Sequence, residues 1–288
     1  MTDSKNKGRK GVLYVALSAA LFALAGILIK LNSWSSISIN GARCFFAFFV
    51  MLIYLKLSGH RIVVNKTVLV CAVTSFLVNL LFVIANKMTT AANAIVLQFT
   101  MPGFLILLLW LFWKKRPDRV SVLCCAASFI GVLFFFMESL SISGSGTAML
   151  GNILAVLSGL LYAVVFLMKK IPSEDFESSM LFSYVISFTV SIPFLAAEES
   201  LGGSNLLIAV ILGVFQVGFA YIFLAKGLDC VSPVSASLIS MLEPVLNPVL
   251  VAIFYGETIG MLSLVGAVIV LGSAAYYNIH SIRTEEAE

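Results

Sequence analysis

Charged side chains are scarce in this sequence. Only 11% of the 288 residues are Asp, Glu, Lys or Arg, whereas 60% are hydrophobic, and the mean hydropathy is +1.06. Soluble domains carry about 25% charged residues, so this chain has too few charges to cover a water-soluble surface. The scarcity excludes an ordinary soluble globular protein and indicates a chain whose main solvent is lipid.

Motifs for disulfide, metal and nucleotide chemistry are also missing. The five cysteines form no CxxC pair, and the two histidines, His60 and His280, stand apart from them. This pattern predicts no disulfide framework and no metal site, with cysteines serving as small buried apolar residues. No GxxxxGK[ST] loop is present, so we expect no nucleotide hydrolysis by this chain and no cofactor.

Long apolar stretches fill most of the chain. Ten of them are long enough to cross the ~30 Å hydrocarbon core of a bilayer. Backbone groups in lipid need internal partners, so these stretches are expected to be helices, and the fold class is all-α integral membrane. The approximate bounds of the ten spans are 11–30, 36–57, 67–86, 91–113, 119–138, 147–168, 178–197, 204–225, 232–254 and 259–279.

Basic residues concentrate in alternate connections. If the N-terminus is cytoplasmic, the outer segments hold only Lys30 and Lys87, and Arg43 lies within a span. This bias predicts a multi-pass protein of the cell (plasma) membrane with both termini in the cytoplasm. It also accounts for the net charge of +4 without a nucleic-acid partner. The cytoplasmic set is Lys5, Lys7, Arg9, Lys10, Lys56, Arg61, Lys66, Lys114, Lys115, Arg116, Arg119, Lys169, Lys170, Lys226 and Arg283.

Two pairs of segments resemble each other at nearly the same offset along the chain. LSAALFALAGILIK at 17–30 aligns with LSGLLYAVVFLMKK at 157–170. NAIVLQFTMPGFLILLLWLFW at 93–113 aligns with SASLISMLEPVLNPVLVAIFY at 235–255. The chain is thus predicted to divide into two five-span repeats, residues 1–143 and 144–288. Because five is odd, the second repeat is inverted, which is the plan of many secondary transporters.

The start of the chain allows another interpretation. Basic residues, an apolar run and Ala23-Leu24-Ala25 are also typical of a secretory signal peptide with its cleavage site. A discarded leader has no reason to recur as a span in the middle of the chain, so the repeat favours a retained first span.

The ninth span contains an unusual motif. LEPVLNPVLVAIFYGE at 242–257 places Glu243 beside Pro244, with Pro248 one turn later. This motif, together with the ten-span repeat, resembles the EamA type of the drug/metabolite transporter superfamily, and Arg43 in NGARCFFAFF resembles the arginine of that family's second span. The first half departs from the motif, because Met101 stands where Glu243 does.

The resemblance implies a fold and a general function. It implies secondary transport of small metabolites, most often export, by alternating access around a central cavity lined by spans 1, 3, 4, 6, 8 and 9. The solutes expected are amino-acid-, nucleobase- or drug-like. Proton coupling, facilitated diffusion and exchange stay open, as do a monomer and a homodimer. The partners otherwise expected are the lipid bilayer and no nucleic acid.

Polar residues within spans are candidates for the transport site, because such groups in lipid should face protein or water. Glu243 is a candidate for substrate binding or proton coupling, or else a structural acid. Depth along the helices places Arg43 within reach of Glu243, which predicts an ion pair. The alternative is that Arg43 snorkels to the outer interface or holds carbonyls at a helix end. Further candidates, with hydrogen bonding or packing between helices as the alternative, are Asn79, Asn93, Gln98, Tyr162, Gln216 and Tyr221. Helix breaks are expected at Pro102, Pro244 and Pro248.

Two other classes of protein remain as alternatives. An integral membrane enzyme needs clustered catalytic groups, and the predicted spans contain no aspartate and no histidine. A receptor without transport activity does not predict an inverted repeat. The sequence therefore favours a transporter and not an enzyme.

Overall fold

The chain is built from helices. The computed structural model describes residues 2–89, 91–136, 146–246, 250 and 261–285, and no strand occurs in these ranges. A 3-10 turn (Met168–Lys170) follows α8, and a π-helix (Leu212–Phe219) joins α10 to α11. The helices are α1 (Thr2–Phe22), α2 (Ala25–Leu31), α3 (Ser36–Ser58), α4 (Lys66–Met88), α5 (Ala91–Gln98), α6 (Met101–Trp113), α7 (Arg119–Phe136), α8 (Gly146–Leu167), α9 (Phe176–Ala196), α10 (Gly203–Ile211), α11 (Ala220–Leu228), α12 (Pro233–Ser240) and α13 (Met261–Glu285).

Seven helical segments are long and apolar enough to cross a membrane, and they coincide with seven of the predicted spans. In the described parts of the other three predicted spans lie shorter apolar helices, Arg119–Phe134, Pro233–Leu246 and Val265–Tyr277. The chain is therefore a multi-pass helical membrane protein. The seven long segments are Lys7–Leu31, Ser36–Ser58, Lys66–Met88, Asn93–Trp113, Gly146–Lys170, Phe176–Ala196 and Gly203–Leu228.

Two helices begin with the same kind of cap at positions that the two predicted repeats share. The side chain of Ser35 accepts a hydrogen bond from the Ser38 backbone N–H at the start of α3, and Asp175 accepts from the Ser178 N–H at the start of α9. An oxygen at this position satisfies one of the backbone donors that a helix start leaves unpaired.

Two other segments break at related places. α5 and α12 have the same length, and they begin and end at positions that correspond in the alignment of the two repeats. Pro102 lies in the first turn of α6, directly after the first break. Pro244 lies within the helical residues 242–246 after the second break, and Pro248 lies outside the described residues. The interruption at Ala23 and Leu24, between α1 and α2, was not expected from the sequence.

Helices of the two predicted repeats pack against each other. α3 packs along α9 and α7 along α13, while α4 packs on α8 and α1 on α11. Two serines bond across these last contacts. Ser158 Oγ donates to the Val78 carbonyl at 3.2 Å, and Ser18 Oγ donates to the Ala220 carbonyl at 2.8 Å. The close approach of α8 to the end of α5 depends on Gly159, because a Cβ there would lie 2.5 Å from the Gln98 carbonyl oxygen.

Candidate functional site: a buried polar cavity

Most of the polar candidates line one small cavity at the centre of the molecule. Asn93 is the exception, because it is absent from the lining and donates to Thr89 Oγ1 at 3.2 Å. Arg43 adds span 2 to the lining, which the family-based expectation did not include. The lining residues are Phe22, Arg43, Val78, Asn79, Phe82, Gln98, Tyr162, Gln216, Tyr221 and Glu243.

Interrupted helices bring several of these side chains together. Phe22 and Gln98 are the last residues of α1 and α5, and Glu243 follows the break after α12. Gln216 lies in the π-helix, a conformation that is often found at functional sites. Broken helices of this kind place backbone and side-chain polar groups at mid-membrane depth in transporters.

Neutral polar groups hold the guanidinium of Arg43, which is only 1% exposed. Nη1 donates to Gln216 Oε1 at 2.9 Å. Nη2 donates to the Asn79 carbonyl at 3.0 Å, to Asn79 Oδ1 at 3.2 Å and to Asn40 Oδ1 at 3.2 Å. Nε is buried without a hydrogen-bond partner. The charge is therefore fixed in place but not neutralised by these contacts.

Glu243 supplies a carboxylate to the same cavity. The residue is 4% exposed, and its Oε2 atom has no hydrogen-bond partner. The predicted Arg43–Glu243 ion pair is not among the ion pairs of the described residues, so that prediction is wrong for this conformation. Depth along two helix axes does not fix which way each side chain points, and amide oxygens take up the guanidinium instead.

Aromatic rings close one side of the cavity. The ring of Phe22 meets Tyr221 edge-on at a centroid distance of 5.0 Å and Tyr162 at 6.3 Å. The Tyr221 hydroxyl accepts a hydrogen bond from Asn79 Nδ2 at 3.2 Å. The wall is thus apolar in its faces and polar at its hydroxyl edges, as is usual for small-molecule sites.

The cavity is small. Its volume is about 20 Å³, which is room for about one water molecule. Larger cavities lie elsewhere in the part of the chain that the structure describes: an apolar one of about 380 Å³ beside Pro102 and Gly103, and a polar one of about 340 Å³ beside His60. We take the small cavity as the candidate site because, among these three, it alone combines two buried groups of opposite charge.

Hydrogen bonds close the molecule at the end where the loop after α2 meets the loop before α10. Asn32 Nδ2 donates to the Asn205 carbonyl at 3.0 Å, and Asn205 Nδ2 donates to Ser33 Oγ at 2.8 Å. The Trp34 indole N–H donates to the Ser200 carbonyl at 2.9 Å. We call this the Asn205 end.

The opposite end, which we call the His60 end, is closed by charged groups. His60 Nε2 lies 2.8 Å from Asp175 Oδ2, and Lys169 Nζ lies 3.0 Å from Glu177 Oε1 and 3.1 Å from Asp229 Oδ1. Burial acts to raise the pKa of Asp175, but hydrogen bonds from Ser178 and the contact with His60 outweigh it and lower the pKa. Contacts between the α3–α4 loop and the start of α9 thus shut this face.

A set of metal-ligand types also meets at the His60 end. His60, Asp175 and Glu177 each offer one ligand atom, and these atoms lie within 4.8 Å of one another. No metal site was predicted from the sequence, because the cysteines form no CxxC pair and the two histidines stand apart from them. The ammonium of Lys169 already bonds both carboxylate oxygens of Glu177, at 3.0 and 3.1 Å, so a cation there would have to compete with a lysine.

Four contributors to the central site were missed by sequence reasoning: Asn40, Phe22, Val78 and Phe82. Asn40 helps to hold the guanidinium, and it stands three residues before Arg43, which places both on one helix face. This spacing of three residues could have identified Asn40 as a partner of Arg43 from the sequence. Phe22 was identified only as the repeat partner of Tyr162, because one phenylalanine among 23 carries no distinguishing pattern.

Comparison with known proteins agrees with this architecture. The model of the EamA-like transporter family matches residues 9–137 and 149–279. An Archaeoglobus fulgidus protein described as an "uncharacterized transporter" is 24% identical over 91% of this chain and 94% of its own length. The Salmonella typhimurium "uncharacterized inner membrane transporter YicL" is 23% identical over 97% of this chain and 98% of its own. The human solute carrier family 35 member G1 is 24% identical over 91% of this chain and 77% of its own.

A solved crystal structure has the same fold. It superimposes with a TM-score of 0.77 at 17% sequence identity, covering 94% of this chain and 97% of the other. The family match covers most of both predicted repeats. The relatives that this chain resembles over most of their lengths are described as transporters. The chain therefore belongs to the EamA-like transporter family of the drug/metabolite transporter superfamily and is a multi-pass membrane transporter.

Proposed function

We propose that this protein is a secondary carrier that exports small zwitterionic metabolites, such as amino acids, across the plasma membrane by alternating access to the central cavity. One observation carries the proposal. Two fully buried groups of opposite charge, Arg43 and Glu243, share a cavity, and each has one atom without a hydrogen-bond partner. A guanidinium recognises a carboxylate and a carboxylate recognises an ammonium group, so a solute that bears both charges matches the pair.

Neutral or singly charged solutes match this site less well. A neutral nucleobase or an apolar drug would leave both buried charges uncompensated, and a singly charged solute would leave one; such a charge in a low-dielectric site is strongly unfavourable. A charge-assisted hydrogen bond contributes about 1.5–3 kcal/mol, so the two charged contacts together favour a zwitterion. The direction of transport rests on the resemblance of the chain to its family.

The pattern of packing supports ten spans in two inverted repeats, and the distribution of basic residues supports cytoplasmic termini. Span n and span n + 5 are equivalent in such a repeat. α3 (span 2) packs on α9 (span 7), and α7 (span 5) packs on α13 (span 10). The contact of α4 with α8 is the repeat image of the contact of α1 with α11. The bond from Ser158 to Val78 is likewise the image of that from Ser18 to Ala220.

Closure at both ends supports alternating access. The Asn205 end and the His60 end are each shut by contacts that join the two predicted repeats, and the cavity between them has room for one water. A solute of several heavy atoms can enter only after one of these ends opens and the cavity widens. Two oppositely inserted halves can exchange conformations, so that one end opens while the other stays shut.

Solute counterflow in proteoliposomes tests the proposal. Vesicles loaded with a mixture of unlabelled amino acids should take up labelled amino acids transiently, and Glu243→Gln should reduce the rate about tenfold or more, because the ammonium partner is lost. Glu199→Gln, at an exposed acid, serves as the matched control and should leave the rate unchanged. No counterflow with amino acids, but counterflow with nucleobases or lipophilic cations, would refute the zwitterionic substrate class. An absence of counterflow with all three would refute the carrier.

A further inference from the structure

A line of serines follows one buried face of α9. Ser179, Ser183, Ser187 and Ser191 are each at most 1% exposed, and α9 packs there against α3 and α4. Successive members are four residues apart, which advances a helix by about 6 Å. Small residues at such spacing are ordinary in helix packing, so the line by itself indicates no function.

The hydroxyls in the middle of this line are unusual. The side-chain oxygens of Ser183, Tyr184 and Ser187 are all buried without a hydrogen-bond partner. Cys44 of α3 lies beside Ser187, but a thiol is only a weak donor. An unsatisfied polar group in a membrane interior costs several kcal/mol. Three such groups within five residues of α9 indicate a polar ligand. Ser183 and Ser187 lie one helical turn apart, and a water that bridges these two hydroxyls at about 2.8 Å each fits the step of about 6 Å.

One end of the line reaches a buried carboxylate at the His60 end. Both oxygens of Glu174 are inaccessible and have no hydrogen-bond partner, and Ser179 lies beside this residue. Glu174 also lines the polar cavity of about 340 Å³ at the His60 end. The line of hydroxyls therefore begins at an acid that borders a polar entrance.

The other end reaches the central cavity. The rings of Tyr184 and Tyr221 lie 6.5 Å apart between centroids, and Tyr221 lines the cavity together with Glu243. Beyond this point the seam is shut. Ser191 Oγ donates to the Phe188 carbonyl at 2.7 Å, and a Cβ at Gly41 would overlap Ser191. The line thus connects the His60 end with the centre but does not continue to the Asn205 end.

We propose that ordered water fills the seam beside α9 and, with its hydroxyls, conducts protons between Glu174 and the carboxylate of Glu243. A proton leaves the Glu174 carboxyl for the first water or hydroxyl, each member passes on one proton as it receives one, and Glu243 takes up the last. Only O–H bonds form and break, and nothing is oxidised or reduced. The role of this path in coupling transport to a proton gradient rests on the proposed function.

The surroundings of Glu174 suit a proton donor and acceptor near neutral pH. Burial is the main cause that raises the pKa of Glu174, the contacts with Ser179 and Lys169 lower it, and the nearby acids raise it, so that the pKa lies at about 7. The titratable groups that face it are Asp175 and Glu177 at the start of α9, Lys169 after α8, Cys71 of α4 and, across the shared cavity, Tyr54, His60 and Asp229.

Radiolytic footprinting in lipid nanodiscs tests the water itself, without reference to transport. Hydroxyl radicals made from trapped water label adjacent side chains, so Tyr184 should be labelled at least tenfold faster than Phe166, although both are 0% exposed. The double variant Ser183→Val/Ser187→Val should abolish this excess, whereas Thr189→Val, at a neighbouring hydroxyl bonded within α9 to Val185, should not. Labelling of wild-type Tyr184 no faster than of Phe166 would show a dry seam and overturn the proposal.

Proton flux into pyranine-loaded proteoliposomes, driven by an outward gradient of amino acids, tests conduction, because the path ends at the central cavity and a proton crosses the membrane only as the carrier cycles. The wild type should exceed protein-free vesicles at least fivefold, and Glu174→Gln and the double valine variant should fall to the protein-free level while Thr189→Val matches the wild type. Wild-type flux in Glu174→Gln, or no excess flux in the wild type, would overturn the proton path. Because Glu174 lies outside the membrane-spanning helices, Glu174→Gln is expected to fold even if Ser183→Val/Ser187→Val does not. Counterflow measured in the same vesicles shows separately whether the carrier function stands.

Discussion

The segments around the two broken helices have the same backbone plan but different chemistry. α5 and α12 stop at residues that correspond in the two predicted repeats, Gln98 and Ser240. Just after these breaks, Met101 in the first half matches Glu243 in the second, and both are buried, at 0% and 4% exposure. The two halves thus share the positions at which their helices end, because these positions determine how the helices pack. A difference at one residue, Met101 against Glu243, determines which half carries the charge. The proposed site is asymmetric although its framework is paired.

The same contrast holds for spans 2 and 7. When α3 and α9 are aligned on their N-caps, Ser35 and Asp175, Arg43 corresponds to Ser183. One half therefore places a guanidinium in the cavity, and the other places an unpartnered hydroxyl in the seam beside α9. The helices are equivalent in position, but only one of them contributes a fixed positive charge.

Exchanging the residues at the two breaks is the strongest test of this asymmetry. Glu243→Met should reduce counterflow about 10- to 100-fold, because the charged contact is lost. Met101→Glu should lower the melting temperature, since it buries a carboxylate among apolar neighbours at mid-membrane depth. The double exchange should stay inactive. A double variant that regains more than a tenth of wild-type counterflow would show that either half can carry the acid.

A smaller effect is expected where α8, the first helix of the second predicted repeat, packs on the end of α5. In the alignment of 17–30 with 157–170, Gly159 corresponds to Ala19. Gly159→Ala should destabilise the protein by about 1–3 kcal/mol, because the new Cβ lies 2.5 Å from the Gln98 carbonyl oxygen and the helices must separate. Unfolding by sodium dodecyl sulfate in mixed micelles measures the change. Gly103→Ala, where a Cβ meets nothing within 4 Å, is the control and should not destabilise.

The paired serines provide a finer comparison. Ser18→Ala should cost about 1 kcal/mol, because one hydrogen bond to Ala220 is lost. Gln98 Nε2 donates to the Ser158 hydroxyl at 2.7 Å. Ser158→Ala should therefore cost more, about 1–3 kcal/mol, because it leaves this amide donor buried and unpaired. The same unfolding assay applies to both variants, and equal losses would mean that the bond from Gln98 contributes nothing to stability.

Removing the two helix caps should give the smallest difference in stability loss between the repeats, and this difference should depend on pH. Asp175→Ala and Ser35→Ala should each cost about 1 kcal/mol at neutral pH. The pKa of Asp175 is lowered in the folded protein. Its charge therefore stabilises the fold above the unfolded pKa of about 4, and this effect is lost as the pH falls through the folded pKa.

Thermal unfolding at pH 7 and pH 3 measures this dependence. The loss for Asp175→Ala should be smaller at pH 3, whereas the loss for Ser35→Ala should be unchanged, because a hydroxyl cap does not titrate there. A constant difference at both pH values would argue that the Asp175 cap acts through its neutral hydrogen bond alone.

Seven of the ten predicted spans coincide with helices of membrane-spanning length, because length and hydropathy alone decide whether a segment can lie in lipid. The sequence also predicted most of the polar residues that the structure brings to one cavity, because exposing a polar group in a span to lipid is unfavourable and such groups therefore face the protein interior. Whether these residues bind a substrate stays a prediction. The division into two repeats is likewise a prediction, which the matching helix ends and caps support.

Other features were not readable from the chain. The ion pair between Arg43 and Glu243 was inferred from depth, but the direction of each side chain depends on helix rotation, which sequence spacing does not give. The pairing of His60 with Asp175 joins residues that are far apart in the chain, and no local pattern signals it. Asn93 was expected at the cavity, yet its place near the end of a span puts it beside Thr89 instead.

The volume of the central cavity has a consequence for the cell. With room for about one water molecule between two shut ends, the molecule at rest offers no continuous aqueous channel to metabolites or hydrated ions. A membrane can therefore hold many copies of this protein without leaking the ion gradients that drive its other transport proteins.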